Sequence, residues 1–107
     1  FDWVIENLLK NALDAMEGKG KITINMIDSL TQVKIDITDT GKGINKANLQ
    51  HVFEPGFTTK KRGWGLGLSL TKRIVEEYHK GRIGVFHSEI GKGTTMQISF
   101  IKAEIYR

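Results

Sequence analysis

The chain has 107 residues, enough for one small domain with a single core. Hydrophobic residues make up 39% and charged residues 26%, which excludes a disordered or fibrous protein. Cysteine is absent, which excludes a disulfide framework and thiolate metal sites. The net charge of +4 leaves nucleic acid, an anionic membrane or a phosphorylated small molecule as candidate ligands.

The chain enters an amphipathic pattern at once and has no initiator methionine at Phe1. We interpret residues 1–107 as one domain cut from a longer protein. No apolar run reaches the roughly 18 residues that a membrane span needs, and no signal peptide is evident. We therefore expect a cytoplasmic domain, and the sequence leaves open whether the longer protein is anchored in the inner membrane.

Residues 1–17 predict an amphipathic helix, because apolar side chains recur at about 100° per residue. Glycines at 18 and 20 are expected to end it. Residues 21–27 and 32–38 alternate as two strands of a hairpin. Asn45 is a candidate cap for a short helix that reaches about residue 51.

Residues 53–65 predict a loop, and residues 66–78 predict a second helix with Leu70 and Tyr78 on its apolar face. Two more strands are expected at about 82–87 and 94–101. This order favours an α+β fold: a two-layer sandwich of a mixed, mostly antiparallel sheet with helices on one face.

Two asparagines, Asn7 and Asn11, lie one turn apart at the border of the first helix's apolar arc. Asparagine is a mediocre helix former, so this pair needs a reason. The amide oxygen of Asn11 is a suitable Mg²⁺ ligand beside water and phosphate oxygens. The alternative is a polar pair that bonds to neighbouring backbone.

The segment DTGKGI, residues 39–44, follows a predicted strand directly. Asp39 is placed to accept a hydrogen bond from the amino group of adenine, a position at which guanine carries a carbonyl. Gly41 and Gly43 allow the backbone to approach a flat ligand. The alternative is an ordinary Asp-Thr-Gly turn.

The segment GWGLGLSL, residues 63–70, opens the second helix. Backbone N–H groups at a helix N-terminus bind anions, and glycine removes side chains that would block phosphate. The preceding loop carries glycine hinges, aromatic anchors and the basic run 60–62, which predicts a lid over a local anion.

Taken together, these segments resemble the catalytic ATP-binding domain of sensor histidine kinases, within the gyrase, heat-shock-chaperone and mismatch-repair ATPase superfamily. The resemblance spans nearly the whole chain and implies a Bergerat-type ATP-binding fold whose usual first strand lies upstream of Phe1. The matching segments are ENLLKNALDA (6–15), DTGKGI (39–44), VFEPGFTTK (52–60), GWGLGLSL (63–70) and GKGTT (91–95).

The resemblance also implies residue roles. Asn11 would bind Mg²⁺, Asn7 would help to place phosphate, and Lys10 would contact phosphate. The residues implied in nucleotide binding are Asp39, Gly41, Gly43, Thr58, Thr59, Lys60, Gly63, Gly65, Leu66, Gly67, Leu68 and Thr94.

ATP-hydrolysing relatives carry a glutamate one turn before the metal-binding asparagine, and this chain has Asn7 there. An amide is no base, and Glu6 lies about 100° around the helix toward solvent. The resemblance therefore implies γ-phosphate transfer to a histidine in two-component signal transduction. A stand-alone ATPase of the same superfamily is the alternative, and a nucleic-acid-binding module is suggested by net charge alone, without an aromatic platform.

None of the histidines at 51, 79 and 87 lies in the acceptor motif of the family. The expected partners are therefore an acceptor-histidine dimerisation domain of the same protein and a response regulator receiver domain, with no nucleic acid. We expect the chain alone to be monomeric and not to phosphorylate itself.

Overall fold

The sheet and helices are known from a computed structural model, which describes residues 2–54 and 67–102. In chain order the elements are α1 (Asp2–Ala15), β1 (Ile22–Asp28), β2 (Gln32–Asp39), a 3₁₀ turn (Lys46–Asn48), α2 (Gly67–Arg73), a π-helical turn (Ile74–Tyr78), β3 (Arg82–Glu89) and β4 (Gly93–Ile101). Among these residues, no helix has the length and apolar character needed to cross a membrane.

The four strands form one sheet in the order β1-β2-β4-β3. All three pairings between these strands are antiparallel, and each hairpin is closed by a short turn. The helices cover one face of this sheet, so the predicted α+β class and two-layer arrangement are confirmed. The C-terminal end of β2 and the start of β4 meet in the middle of the sheet, where Asp39 pairs with Thr94.

The core lies between the helices and the inner face of the central strands. Every second residue of a strand contributes to this core, because the pleat of a strand places alternate side chains on opposite faces of the sheet. The buried cluster consists of Val4, Leu8, Ile35, Ile37, Val75, Ile83 and Ile98. The opposite face is polar, with hydrogen bonds between Asp36 and Gln97 (2.8 Å) and between Thr38 and Thr95 (2.9 Å).

The edge strand β1 differs from the central strands. Ile24 and Met26 lie opposite Ile37 and Ile35, as their alternation predicts, but their exposed fractions are 52% and 66%. The helices cover the centre of the sheet and leave this edge largely open, so strand periodicity gave the face correctly but not the burial.

The end of α1 shows how the chain reverses. The amide of Gly18 donates to the carbonyl of Leu13 (3.0 Å), and two successive residues, Glu17 (φ 54°) and Gly18 (φ 80°), take the left-handed conformation. The predicted stop is confirmed, but the reversal begins on a glutamate, one residue before the glycine.

The second helix exists as predicted, but its buried face differs. Leu70 and Tyr78 are 42% and 72% exposed, whereas Thr71 and Val75 are fully buried. The predicted stripe is therefore wrong at Leu70, and the π-helical last turn, which widens the helix, changes the angular position of Tyr78. The predicted Asn45 cap is confirmed, since its Oδ1 accepts a hydrogen bond from the amide of Ala47, but only a 3₁₀ turn follows.

Candidate nucleotide-binding site

Asp39 is the last residue of β2 and is only 7% exposed. Its Oδ1 accepts a hydrogen bond from the amide of Gly41 at 2.8 Å. Within the described part of the chain, Oδ2 has no such donor. One carboxylate oxygen is therefore fixed by the backbone and the other is available to accept a hydrogen bond from a ligand.

A chain of hydroxyl groups lies beside Asp39. Thr94, its partner across the sheet, has its Oγ1 2.8 Å from Oγ of Ser88. Ser88 Oγ also accepts a hydrogen bond from the amide of Ile44 at 2.8 Å. The loop after β2 is therefore tied to the β3–β4 hairpin through one serine.

Sequence reasoning missed Ser88. The only available signal is a small hydroxyl residue near the end of a strand, six residues before Thr94. Strand alternation cannot show which residue faces a loop that is distant in sequence.

Three glycines allow backbone segments to touch. A Cβ on Gly41 would lie 2.6 Å from the carbonyl oxygen of Ala15 at the end of α1. A Cβ on Gly43 would lie 2.2 Å from the Glu89 carbonyl oxygen, and one on Gly93 would lie 2.0 Å from that of Asp39. Close contacts within the protein therefore require glycine at these three positions, independently of any ligand.

The second part of the site joins α1 to the start of α2. The Nδ2 group of Asn7 donates to the carbonyl of Gly67 at 3.1 Å and to Oγ1 of Thr71 at 2.7 Å. Thr71 Oγ1 in turn donates to the same carbonyl at 2.7 Å. Sequence analysis did not single out Thr71, because it follows the segment GWGLGLSL (63–70) and lies outside the predicted apolar stripe.

The other predicted residues near α1 and α2 differ in burial. Asn11 is half-buried on the same side of α1 as Asn7, with its amide nitrogen buried, and Lys10 is exposed. Leu68 packs its side chain against the core, so its backbone is the part that remains for a ligand. Glu6 is exposed, as its helical position predicts.

Helix α1 connects the two parts of the site. Asn7 contacts the start of α2, and the carbonyl of Ala15 accepts a hydrogen bond from the amide of Lys42 at 3.1 Å. Eight residues of helix place these two contacts about 12 Å apart, with Asn11 between them. Helix α1 thus contacts Gly67 through Asn7 and the loop after β2 through Ala15.

Several predicted residues lie outside the described residues, and their placement is not part of this geometry. They are Thr58, Thr59, Lys60, Gly63, Gly65 and Leu66. Phe53, which precedes these residues in sequence, packs against the core, and Lys72 Nζ lies 5.6 Å from the centre of its ring.

The three histidines lie in different elements. His79 caps the π-helical turn and His87 lies in β3, and both are exposed. His51 pairs with Glu54 at 2.9 Å on the surface.

Comparison with known proteins agrees with this fold. The family described as histidine kinase-, DNA gyrase B- and HSP90-like ATPase matches residues 1–104. The chain therefore belongs to this ATPase family, as a catalytic ATP-binding domain of the sensor-histidine-kinase type.

Among curated proteins, the chain is similar to the sensor histidine kinase ZraS of Escherichia coli (strain K12), with 44% identity over 95 residues, 89% of this chain and 20% of that protein. It is also similar to sporulation kinase E of Bacillus subtilis (strain 168), with 44% identity over 98 residues, 90% of this chain and 13% of that protein. The chain thus spans a fifth or less of these relatives.

Among solved structures, the catalytic domain of histidine kinase ThkA is 35% identical with a TM-score of 0.78, covering 92% of this chain and 64% of that one. ThkA solved in complex with the response regulator protein TrrA is 32% identical with a TM-score of 0.77, covering 97% of this chain and 29% of that one.

Proposed function

We propose that the chain binds Mg–ATP and donates the γ-phosphate to a histidine on an adjacent dimerisation domain. A response regulator receiver domain would then take the phosphoryl group from that histidine. The similarity to sensor histidine kinases over 89% of this chain supports this assignment. The complex of ThkA with TrrA supports a response regulator as the partner.

The adenine end of the nucleotide would lie at Asp39. Its free carboxylate oxygen accepts a hydrogen bond from the exocyclic amino group, while the Gly41 amide holds the other oxygen. Gly41 and Gly43 shape the loop beside the base, and Thr94 contacts the base edge from β4. Guanine carries an acceptor at the same position, so the carboxylate would reject it.

The phosphate end would lie where α1 meets the start of α2. The amide oxygen of Asn11 suits Mg²⁺, which takes one or two protein oxygens together with phosphate oxygens and water. Lys10 would neutralise phosphate charge, and the backbone at Gly67 and Leu68 would donate N–H groups at the helix N-terminus. Thr58, Thr59, Lys60, Gly63, Gly65 and Leu66 complete the proposed phosphate contacts.

The observation that favours transfer over hydrolysis is the setting of Asn7. Its amide occupies the position one turn before Asn11, and its N–H groups are engaged by Gly67 and Thr71. A neutral amide cannot remove a proton from water, and the exposed Glu6 points elsewhere. Catalysis would then rest on positioning and charge neutralisation, as expected for phosphoryl transfer to a protein side chain.

The direct test mixes the chain with the separately produced acceptor-histidine domain, magnesium and γ-labelled ATP. We expect acid-labile, alkali-stable label on the acceptor domain and none on the chain itself. An acceptor domain whose histidine is replaced by glutamine is the matched control and should stay unlabelled. Label on His51, His79 or His87 of the chain would contradict the proposal.

The same reaction, followed by release of inorganic phosphate, separates transfer from the alternative of a stand-alone ATPase. We expect slow phosphate release without the acceptor domain. Rapid turnover that disappears in Glu6→Ala would instead establish a hydrolase.

A further inference from the structure

We propose that Thr71 is a positioning residue that sets which end of the Asn7 amide faces the nucleotide. This inference rests on the proposed function for its consequence, but the contact itself involves only described residues. Thr71 is fully buried in α2, and Asn7 is half-buried in α1.

The direction of each hydrogen bond among Asn7, Gly67 and Thr71 follows from which atoms can donate and which can accept. The carbonyl of Gly67 can only accept, so it requires an N–H or O–H from each neighbour. The Thr71 hydroxyl gives its single proton to this carbonyl at 2.7 Å, which leaves its lone pairs to accept. Both atoms that face Asn7 are therefore acceptors.

Only the NH₂ end of Asn7 can satisfy two acceptors. Its Nδ2 lies 2.7 Å from Thr71 Oγ1 and 3.1 Å from the Gly67 carbonyl. A flipped amide would place Oδ1 where Nδ2 now lies, 3.1 Å from the Gly67 carbonyl oxygen, with no proton between these two oxygens even if the Thr71 hydroxyl turned to donate to Oδ1. The network thus decides an orientation that amide geometry alone leaves open.

Thr71 contributes to this orientation because its hydroxyl donates its proton to the Gly67 carbonyl, and its oxygen therefore accepts from Asn7. Valine at 71 would keep the branched shape and the packing in the buried stripe but would remove one acceptor and one donor. Asn7 would then have a single weak restraint, and its amide could rotate.

The consequence for the site is that Asn7 presents Oδ1, an acceptor, to the nucleotide. Phosphate oxygens are acceptors as well, so Oδ1 repels them when they are in direct contact. A hydrated cation, whose water molecules donate, is the chemistry that this oxygen fits. Asn7 would thus act on the magnesium-dependent part of binding.

The contact can be tested without nucleotide by NMR of the side-chain NH₂ groups in the 107-residue chain. The signal pair that vanishes in Asn7→Ala identifies the Asn7 amide. We expect slow exchange with solvent in the wild type and in Thr71→Ser, and a shifted, fast-exchanging pair in Thr71→Val. Thr23→Val, on an exposed position of β1, is the control and should leave the pair unchanged.

Calorimetry of ATP binding, with magnesium and with chelator, then tests the consequence. We expect Thr71→Val to lose about tenfold in affinity with magnesium, and little with chelator. Thr71→Ser should match the wild type in both conditions. If Thr71→Val melts without cooperativity, Thr71→Cys replaces it, because a thiol keeps the volume and accepts poorly.

The outcomes separate the two proposals. Unchanged Asn7 signals in Thr71→Val, or the same loss in Thr71→Ser, would overturn the role of the hydroxyl. A wild type that binds no ATP would refute the proposed function, while the NMR comparison would still decide the contact between Thr71 and Asn7.

Discussion

The proposed adenine end and the proposed phosphate end of the candidate site are built in different ways. At the adenine end, backbone touches backbone: Gly93 approaches the Asp39 carbonyl and Gly43 approaches that of Glu89 so closely that a Cβ has no room. At the phosphate end, two helices meet through the side chains of Asn7 and Thr71.

The difference shows that one end of the site depends on the register of the strands and the other end on individual side chains. Sheet pairing fixes the proposed adenine end without a ligand, so recognition there would be preorganised. The proposed phosphate end would depend on the orientation of one amide. Substitutions should therefore disturb folding at the first end and metal-dependent binding at the second.

The largest expected effect is on the backbone contact at Gly93. Gly93→Ala should lower the free energy of unfolding by about 3–5 kcal/mol, since its φ of 129° strains an L-residue and its Cβ would lie 2.0 Å from the Asp39 carbonyl oxygen. Gly91→Ala, also at positive φ but with open space, should cost only about 1–2 kcal/mol. Urea denaturation measures both, and equal losses would refute the close contact as the cause.

The next effect is on adenine recognition. Asp39→Asn should weaken ATP binding about 100-fold or more while leaving the melting temperature nearly unchanged. The amide of Gly41 would hold the Asn oxygen, which turns the new NH₂ group toward the amino group of adenine. Calorimetry measures this loss, and unchanged affinity would remove Asp39 from the site.

A smaller effect is expected at Ser88. Ser88→Ala should cost about 1–2 kcal/mol of unfolding free energy, because the amide of Ile44 loses its acceptor. Ser99→Ala is the matched control, since Ser99 on β4 makes no side-chain hydrogen bond within the described part of the chain. If the two variants are equally stable by urea denaturation, the Ser88 link does not hold the loop.

The smallest effect is on the contact between Lys72 and the Phe53 ring. Lys72→Met should cost about 0.5–1 kcal/mol, because the ammonium lies 5.6 Å from the Phe53 ring centre. Lys72→Arg retains the cation and should stay within experimental error of the wild type in thermal denaturation. A loss of equal size in Lys72→Arg would show that packing of the lysine stem, and not charge, is responsible.

Much of the architecture was predictable because it is local. The period of α1 placed Asn7 and Asn11 at the border of the buried arc, and strand alternation gave the inner face of the sheet. The burial of Met26 and the stripe of the second helix were not predictable, since both depend on what other elements cover. The roles of the site residues remain predictions.

The sequence by itself determined the element order, the boundaries of the motifs and the chemical groups available at each. These follow from periodicity and from residue type. Only the tertiary structure decided that Ser88 bonds to Ile44, that Thr71 bonds to Asn7, and that Gly93 faces Asp39. The reason is that hydrogen bonds between residues distant in sequence depend on sheet register and helix packing, which no local pattern encodes.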